Sequence, residues 1–195
     1  MIAIIKYNAG NIKSVQNALS RLQVESMVTD DENLIRQADK VIFPGVGEAS
    51  TAMNYLKERG LDKVIKSLTH PVLGICLGQQ LMCRHSEERN TDCLNIFDVD
   101  VKRFPNTGIV PHMGWNAIYK LKGKIFADNQ ENDDVYFVHS YYADLCRDTV
   151  AVCDYLLPFS AALQKDNFYA VQFHPEKSAD TGEKILRNFI SNSLI

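Results

Sequence analysis

The 195-residue sequence is 46% hydrophobic, long enough and apolar enough to bury a sizeable core as one domain. Its formal charge of -3 is spread without a run of like charges, which excludes the electrostatic footprint of a nucleic-acid or anionic-membrane binder. No 18 uncharged apolar residues stand in succession, and five cysteines, an odd number without a C-x-x-C pair, argue against a disulfide framework or a zinc site. The N-terminus, MIAIIKYNAG, carries no charged leader or cleavage site, so the expectation is a soluble cytoplasmic protein with reduced thiols, one domain over residues 1–195, no metal and no cofactor.

The first half alternates strand-like and helix-like segments. IAIIK (2–6) is a short apolar run followed by the turn-prone residues 8–11, after which Ile12, Val15, Ala18, Leu19 and Leu22 recur at helical spacing. VESMVT (24–29), KVIFP (40–44) and PVLGIC (71–76) repeat the strand pattern, with helices predicted over 31–37, 48–59, 61–68 and 77–84. Such alternation predicts parallel strands joined by right-handed crossovers. From residue 93 to 173 the pattern changes to CLNIFDVDVKRF, WNAIYK, DVYFVHS, TVAVCDYL, FSAALQK and FYAVQFH, strand-like runs with short connections that add antiparallel strands to the sheet or beside it. A last amphipathic helix, over 178–193, carries Ile185, Leu186, Phe189 and Ile190 on one face. The fold class is therefore α/β: a single domain with a mostly parallel central sheet flanked by helices and further antiparallel strands in the second half.

The stretch PVLGICLGQQ (71–80) sets Cys76 between Gly74 and Gly78 where a buried strand runs straight into a helix. That is the shape of a nucleophile elbow with cysteine in the place of serine. The glycines leave room where strand, helix and substrate crowd a strained turn, and a helix N-terminus favours a thiolate. Most cysteines are small buried hydrophobes, a reading that suits Cys83, Cys93, Cys146 and Cys153, none of which has flanking glycines at a strand end.

A thiol nucleophile needs a base, and the base an orienting group. His174 ends the apolar strand in YAVQFHPEKS and precedes Glu176 by two residues, so in an extended backbone the two share a face and the carboxylate fixes the imidazole tautomer. His70, His85 and His112 have no comparable partner and are expected to be structural or exposed. In FPGVGEAS (43–50) a strand opens into a glycine-rich turn whose backbone N–H groups suit an oxyanion. A dinucleotide loop is the competing reading, and a poor one, because Ser50 stands where the third glycine belongs and the strand is not the first.

PGVG (44–47), GICLGQQ (74–80) and QFHPEKS (172–178), in that order and spacing, resemble the class I (triad) glutamine amidotransferases. PHMGWN (111–116) and YFVHSYY (136–142) narrow the resemblance to the glutaminase subunits of imidazole glycerol phosphate synthases, across essentially the whole chain. The resemblance implies a flavodoxin-like amidotransferase fold and hydrolysis of L-glutamine to glutamate and ammonia. The ammonia would pass to a separate (β/α)8-barrel cyclase subunit, in a heterodimer that makes imidazole glycerol phosphate and AICAR in histidine biosynthesis. It further implies Cys76 as nucleophile, His174 as base, Glu176 as its orienter, amides near Val46 and Gly47 as the oxyanion hole, and Gln80, Tyr136, Ser140 and Tyr141 around the substrate. Met113, Gly114, Trp115 and Asn116 would face the cyclase. The chain departs from the usual pattern at Lys6, Asn8 and Gln79. A paralogous glutaminase feeding another synthase, a stand-alone γ-glutamyl cysteine hydrolase and a non-catalytic flavodoxin-like binding module remain the alternatives.

Overall fold

The computed structural model describes residues 1–8 and 10–191, so that Ala9 in the first turn and positions 192 and 193 of the last expected helix lie outside the described residues. Its first half runs β1 (Ile2–Ile5), α1 (Ile12–Arg21), β2 (Ser26–Thr29), α2 (Glu32–Gln37), β3 (Lys40–Gly45), α3 (Ala49–Glu58), α4 (Leu61–Lys66), β4 (Val72–Cys76) and α5 (Leu77–Met82). These are the elements expected from the periodicity, with boundaries moved by one or two residues. Every residue of β1 and β4 is buried, as parallel strands covered on both faces must be.

The second half consists of β5 (His85–Ser86), β6 (Thr91–Asp92), β7 (Asp100–Arg103), β8 (His112–Ile118), β9 (Asp133–His139), β10 (Tyr141–Ala143), β11 (Thr149–Tyr155), β12 (Leu157–Lys165), β13 (Phe168–Val171) and α6 (Ala179–Ser191). The main sheet has the order β11-β12-β13-β4-β3-β1-β2, parallel from β13 to β2 and antiparallel where β12 and β11 are added. A four-stranded sheet, β10-β7-β5-β6, and an antiparallel ribbon of β8 with β9 lie beside it.

Alternation along the central strands divides the core. Ala3, Ile5, Val41 and Phe43 face a cluster completed by α2 to α5, while Ile2, Ile4, Ile42 and Ile75 face α1, α6 and the ribbon. Two expectations are corrected. Of CLNIFDVDVKRF only Asp100–Arg103 is a strand, because residues 94–97 turn back on α5, whose last carbonyls (Leu81, Met82) and that of Cys83 accept their N–H groups, and Asn95 takes a positive φ of 52°. The strand expected to carry His174 ends at Val171, and Glu176 sits in a 3-10 turn, Pro175–Lys177.

Candidate active site

Cys76 is the junction of β4 and α5, with φ 54° and ψ -109°, a strained conformation held by its surroundings. The close packing behind it explains Gly78: a Cβ there would stand 1.9 Å from the Phe43 carbonyl oxygen of β3. At Gly74 a Cβ would meet the Met82 sulfur at 2.8 Å and the Gly78 carbonyl at 3.0 Å. The two glycines thus let a helix start directly on top of the sheet, which is what lifts the cysteine to its edge.

The side chains of His174 and Glu176 are fully buried and joined by a 2.8 Å hydrogen bond from Nδ1 to the carboxylate. The 3-10 turn therefore brings the pair together where an extended strand was expected. Asn11, at the start of α1, donates to the same carboxylate oxygen and lies 3.2 Å from His174 Nδ1. Burial works against a charge on His174, but its interactions with Cys76 and Glu176 outweigh burial and raise its pKa to about 10. Nε2, the nitrogen left over, has no hydrogen bond. One end of the ring is oriented by Glu176 and the other is left free to act, the arrangement that a base and its orienter require.

Around Cys76 lies a cavity of about 320 Å³, within the range of small-molecule sites, roughly 300–1,000 Å³. Val46, Gly47, Gln80, Ser140 and Tyr141 line it, which brings five of the expected residues to Cys76. Gly47 has φ 137°, a backbone that only glycine adopts readily, and the Val46 carbonyl accepts from the Gly10 N–H at 3.3 Å. Tyr136 is not in the wall. It stands two residues before Val138 on β9, opposite Trp115 in the ribbon, and supports the site through its carbonyl, which accepts from the His174 N–H at 2.9 Å.

Several contributors escaped the sequence reading, among them Gln172, Glu88, Asn11 and His139, which also lines the cavity. Gln172 is wholly buried; its amide nitrogen is 3.7 Å from Cys76 Sγ and its oxygen accepts from Gln80 Nε2 at 2.9 Å. It lies two residues before His174, so the alternation that singled out the histidine points to it as well. Glu88 lines the cavity and accepts from the Ala49 N–H of α3 at 2.7 Å; partial burial raises its pKa, with that hydrogen bond opposing. Asn11 and Glu88 sit in polar stretches that give no local sign of a site. The histidines set aside are not alike: His85 pairs with Asp92, whereas His112 is buried against His139, 3.0 Å away. Burial pushes the Cys83 thiol well up and those of Cys93 and Cys153 to about 12, which leaves them poor nucleophiles. Trp115 and Met113 are 54% and 63% exposed on β8, Gly114 between them has φ 130°, and Asn116 turns its amide inward to His112.

Cysteine at an elbow, a buried histidine–carboxylate pair and a mostly parallel sheet define a class of protein, and the family description that matches residues 3–192 is glutamine amidotransferase class-I, the family to which this chain belongs. Solved structures share the fold: a glutamine amidotransferase from Thermotoga maritima has a TM-score of 0.66 at 19% identity, over 96% of this chain and 81% of that one. Within the family the chain resembles one kind of protein in particular. It is 62% identical to imidazole glycerol phosphate synthase subunit HisH of Bacteroides thetaiotaomicron, over 97% of this chain and 98% of that one, and 46% identical to the HisH subunit of Escherichia coli K12 at the same coverage.

Proposed function

We propose that residues 1–195 form one glutamine amidotransferase domain that hydrolyses L-glutamine at Cys76 and supplies the ammonia to a (β/α)8-barrel cyclase subunit of an imidazole glycerol phosphate synthase. The observation that carries this reading is Cys76 at the strand–helix elbow, opening on a cavity of about 320 Å³, together with the buried hydrogen-bonded His174–Glu176 pair. In the reactive form the thiol proton resides on His174. The sulfur attacks the carboxamide carbon, and the oxyanion is met by the amides of Leu77, the residue after the nucleophile, and of Val46 and Gly47. His174 then protonates the departing nitrogen, ammonia leaves, and the thioester takes up water to give glutamate and free thiol. Glu176 holds the ring throughout. Glu88 is the acidic side chain in the cavity wall and suits the substrate's α-ammonium group, with Ser140, Tyr141 and Gln80 around the rest.

The identity to HisH subunits supports the histidine pathway over a paralogous synthase. For the partner face, the apolar Met113 and Trp115 stand exposed on the ribbon whose other strand leads into the cavity wall. Among the described residues no helix is long and apolar enough to cross a membrane, in keeping with a cytoplasmic enzyme. The test is Cys76→Ser: glutamine-dependent synthesis by the complex with the cyclase is expected to vanish while synthesis from added ammonium salt persists. A variant that still uses glutamine would sink the assignment of the nucleophile.

A further inference from the structure

Between β8 and Cys76 runs an unbroken set of hydrogen bonds, buried at its His112–His139 and Gln80–Gln172–Cys76 links and partly buried between them. The Asn116 side-chain oxygen accepts from the Ala117 N–H at 2.8 Å, which fixes the amide, so its nitrogen donates to the Asp154 carbonyl at 3.0 Å and to His112 Nε2 at 3.3 Å. His112 Nδ1 is 3.0 Å from His139 Nε2, and His139 Nδ1 is 2.7 Å from the Tyr141 carbonyl. That carbonyl also accepts from Gln80 Nε2 at 3.0 Å, and Gln80 leads through Gln172 to Cys76.

Its polarity is determined from both ends. A carbonyl only accepts, so His139 carries its proton on Nδ1 and offers Nε2 as acceptor; an amide nitrogen only donates, so His112 accepts at Nε2 and donates from Nδ1. The two requirements meet at the His112–His139 bond without conflict. Burial lowers the pKa of His112 to about 4 and of His139 to about 3, so both rings are neutral at neutral pH, the charge state that this assignment needs. The rings are also clamped: His112 stacks on Tyr155 at 3.9 Å and on Phe137 at 4.7 Å between ring centres, and His139 lies 5.1 Å from Phe159. Two imidazoles buried where aromatic side chains would pack as well need their nitrogens for something, since a buried polar group costs stability unless it is bonded.

We infer that His112 and His139 are positioning residues for glutamine turnover, a relay of fixed polarity that holds the Tyr141 carbonyl in the cavity wall and, through Gln80 and Gln172, aligns Cys76. The proposal rests on the glutaminase reading of the site, but its first test does not. Nitrogen-15 spectra of the full chain at pH 7 are expected to show both rings neutral and protonated on Nδ1; a proton on Nε2 of either ring overturns the relay whatever the activity. In the complex with the cyclase, His139→Phe and His112→Phe keep an aromatic ring in each place and remove the nitrogens. Each should lower kcat/KM for glutamine about tenfold, the worth of one lost hydrogen bond, mainly through KM. The double variant should be no worse than either single one, because a broken chain breaks once. Losses that multiply, single variants within about twofold of wild type, or losses that merely follow a fall in Tm would overturn the proposal. A wild-type complex inert toward glutamine would instead overturn the glutaminase reading, and the spectra would still decide the relay.

Discussion

The elbow at Cys76 is placed by close packing of backbone on backbone, whereas the cavity wall around Glu88 and Tyr141 is placed by hydrogen bonds between short pieces. The end of β4 has no freedom: its strand is covered on both faces, and α5 starts against the Phe43 carbonyl, so Cys76 must take its strained angles. The cavity wall opposite is assembled otherwise. Tyr141 is held by the imidazole of His139 and the amide of Gln80, and Glu88 by a backbone N–H of α3. Packing of backbone against backbone is intolerant of one added methyl group, while a wall made of polar contacts loses them one at a time. Cys76 is thus on the rigid side, and the groups proposed to hold the substrate, Tyr141 and Glu88, are on the adjustable one.

Gly78→Ala breaks the rigid side and has the largest expected effect. The new Cβ would lie 1.9 Å from a backbone oxygen and 3.0 Å from its carbon, neither of which belongs to a movable side chain. Helix α5 has to lift off β3, at a cost of about 3 kcal/mol or more. Urea unfolding should show the loss, and a midpoint equal to that of wild type would mean the elbow is not as tightly packed as described.

Glu176→Gln tests the joint between the sides through pH. The folded-state pKa of His174, raised to about 10, lies above the unfolded value of about 6.5, so the contribution is fully present below about pH 6.5 and is lost as pH rises through about 10. Removing the carboxylate charge removes part of what raises that pKa. The stability gap between wild type and variant is expected to be about 2 kcal/mol near pH 6.5, the scale of a hydrogen bond to a charged group, and to narrow toward pH 10. A gap that stays constant over that range would show that Glu176 acts by packing alone.

On the adjustable side, Glu88→Gln keeps an oxygen for the Ala49 N–H and removes the charge. If the carboxylate meets the ammonium of glutamine, KM should rise about tenfold, or about 1.5 kcal/mol, with kcat and Tm little changed. An unchanged KM would reduce Glu88 to a cap for α3.

What was legible in the sequence follows the same division. Cys76 announces itself because tight backbone packing demands glycines at fixed offsets, and the apolar strands β1, β3 and β4 are continuous runs. His174 and Glu176 were found through a strand geometry that the chain does not adopt there; proximity in sequence made the pairing robust to that error. His112 and His139 are 27 residues apart and meet only because β8 pairs with β9, and Glu88 lies in the polar connection between β5 and β6, two short strands that were not expected at all. Contacts made by pairing of distant strands leave no periodic trace along the chain.

Gln79 spans the two sides, and its replacement is the smallest effect and the finest test. It is wholly buried on α5, where the resemblance leads one to expect methionine; its amide nitrogen donates to the Ser160 carbonyl of β12 at 3.0 Å, and its oxygen has no hydrogen-bond partner. Gln79→Met gives up one neutral hydrogen bond, about 1 kcal/mol, and relieves one buried oxygen whose desolvation costs about 1–3 kcal/mol. The methionine side chain is of similar length and flexible enough to fill the space. The balance is a gain of about 0–2 kcal/mol, read as a rise in the urea midpoint with the slope unchanged. Glutamine turnover should stay as it was, because Gln79 is not in the cavity wall. A loss of stability beyond about 1 kcal/mol would show that the Ser160 carbonyl depends on this amide, and that the antiparallel strands are held to the elbow by hydrogen bonding rather than by apolar contact.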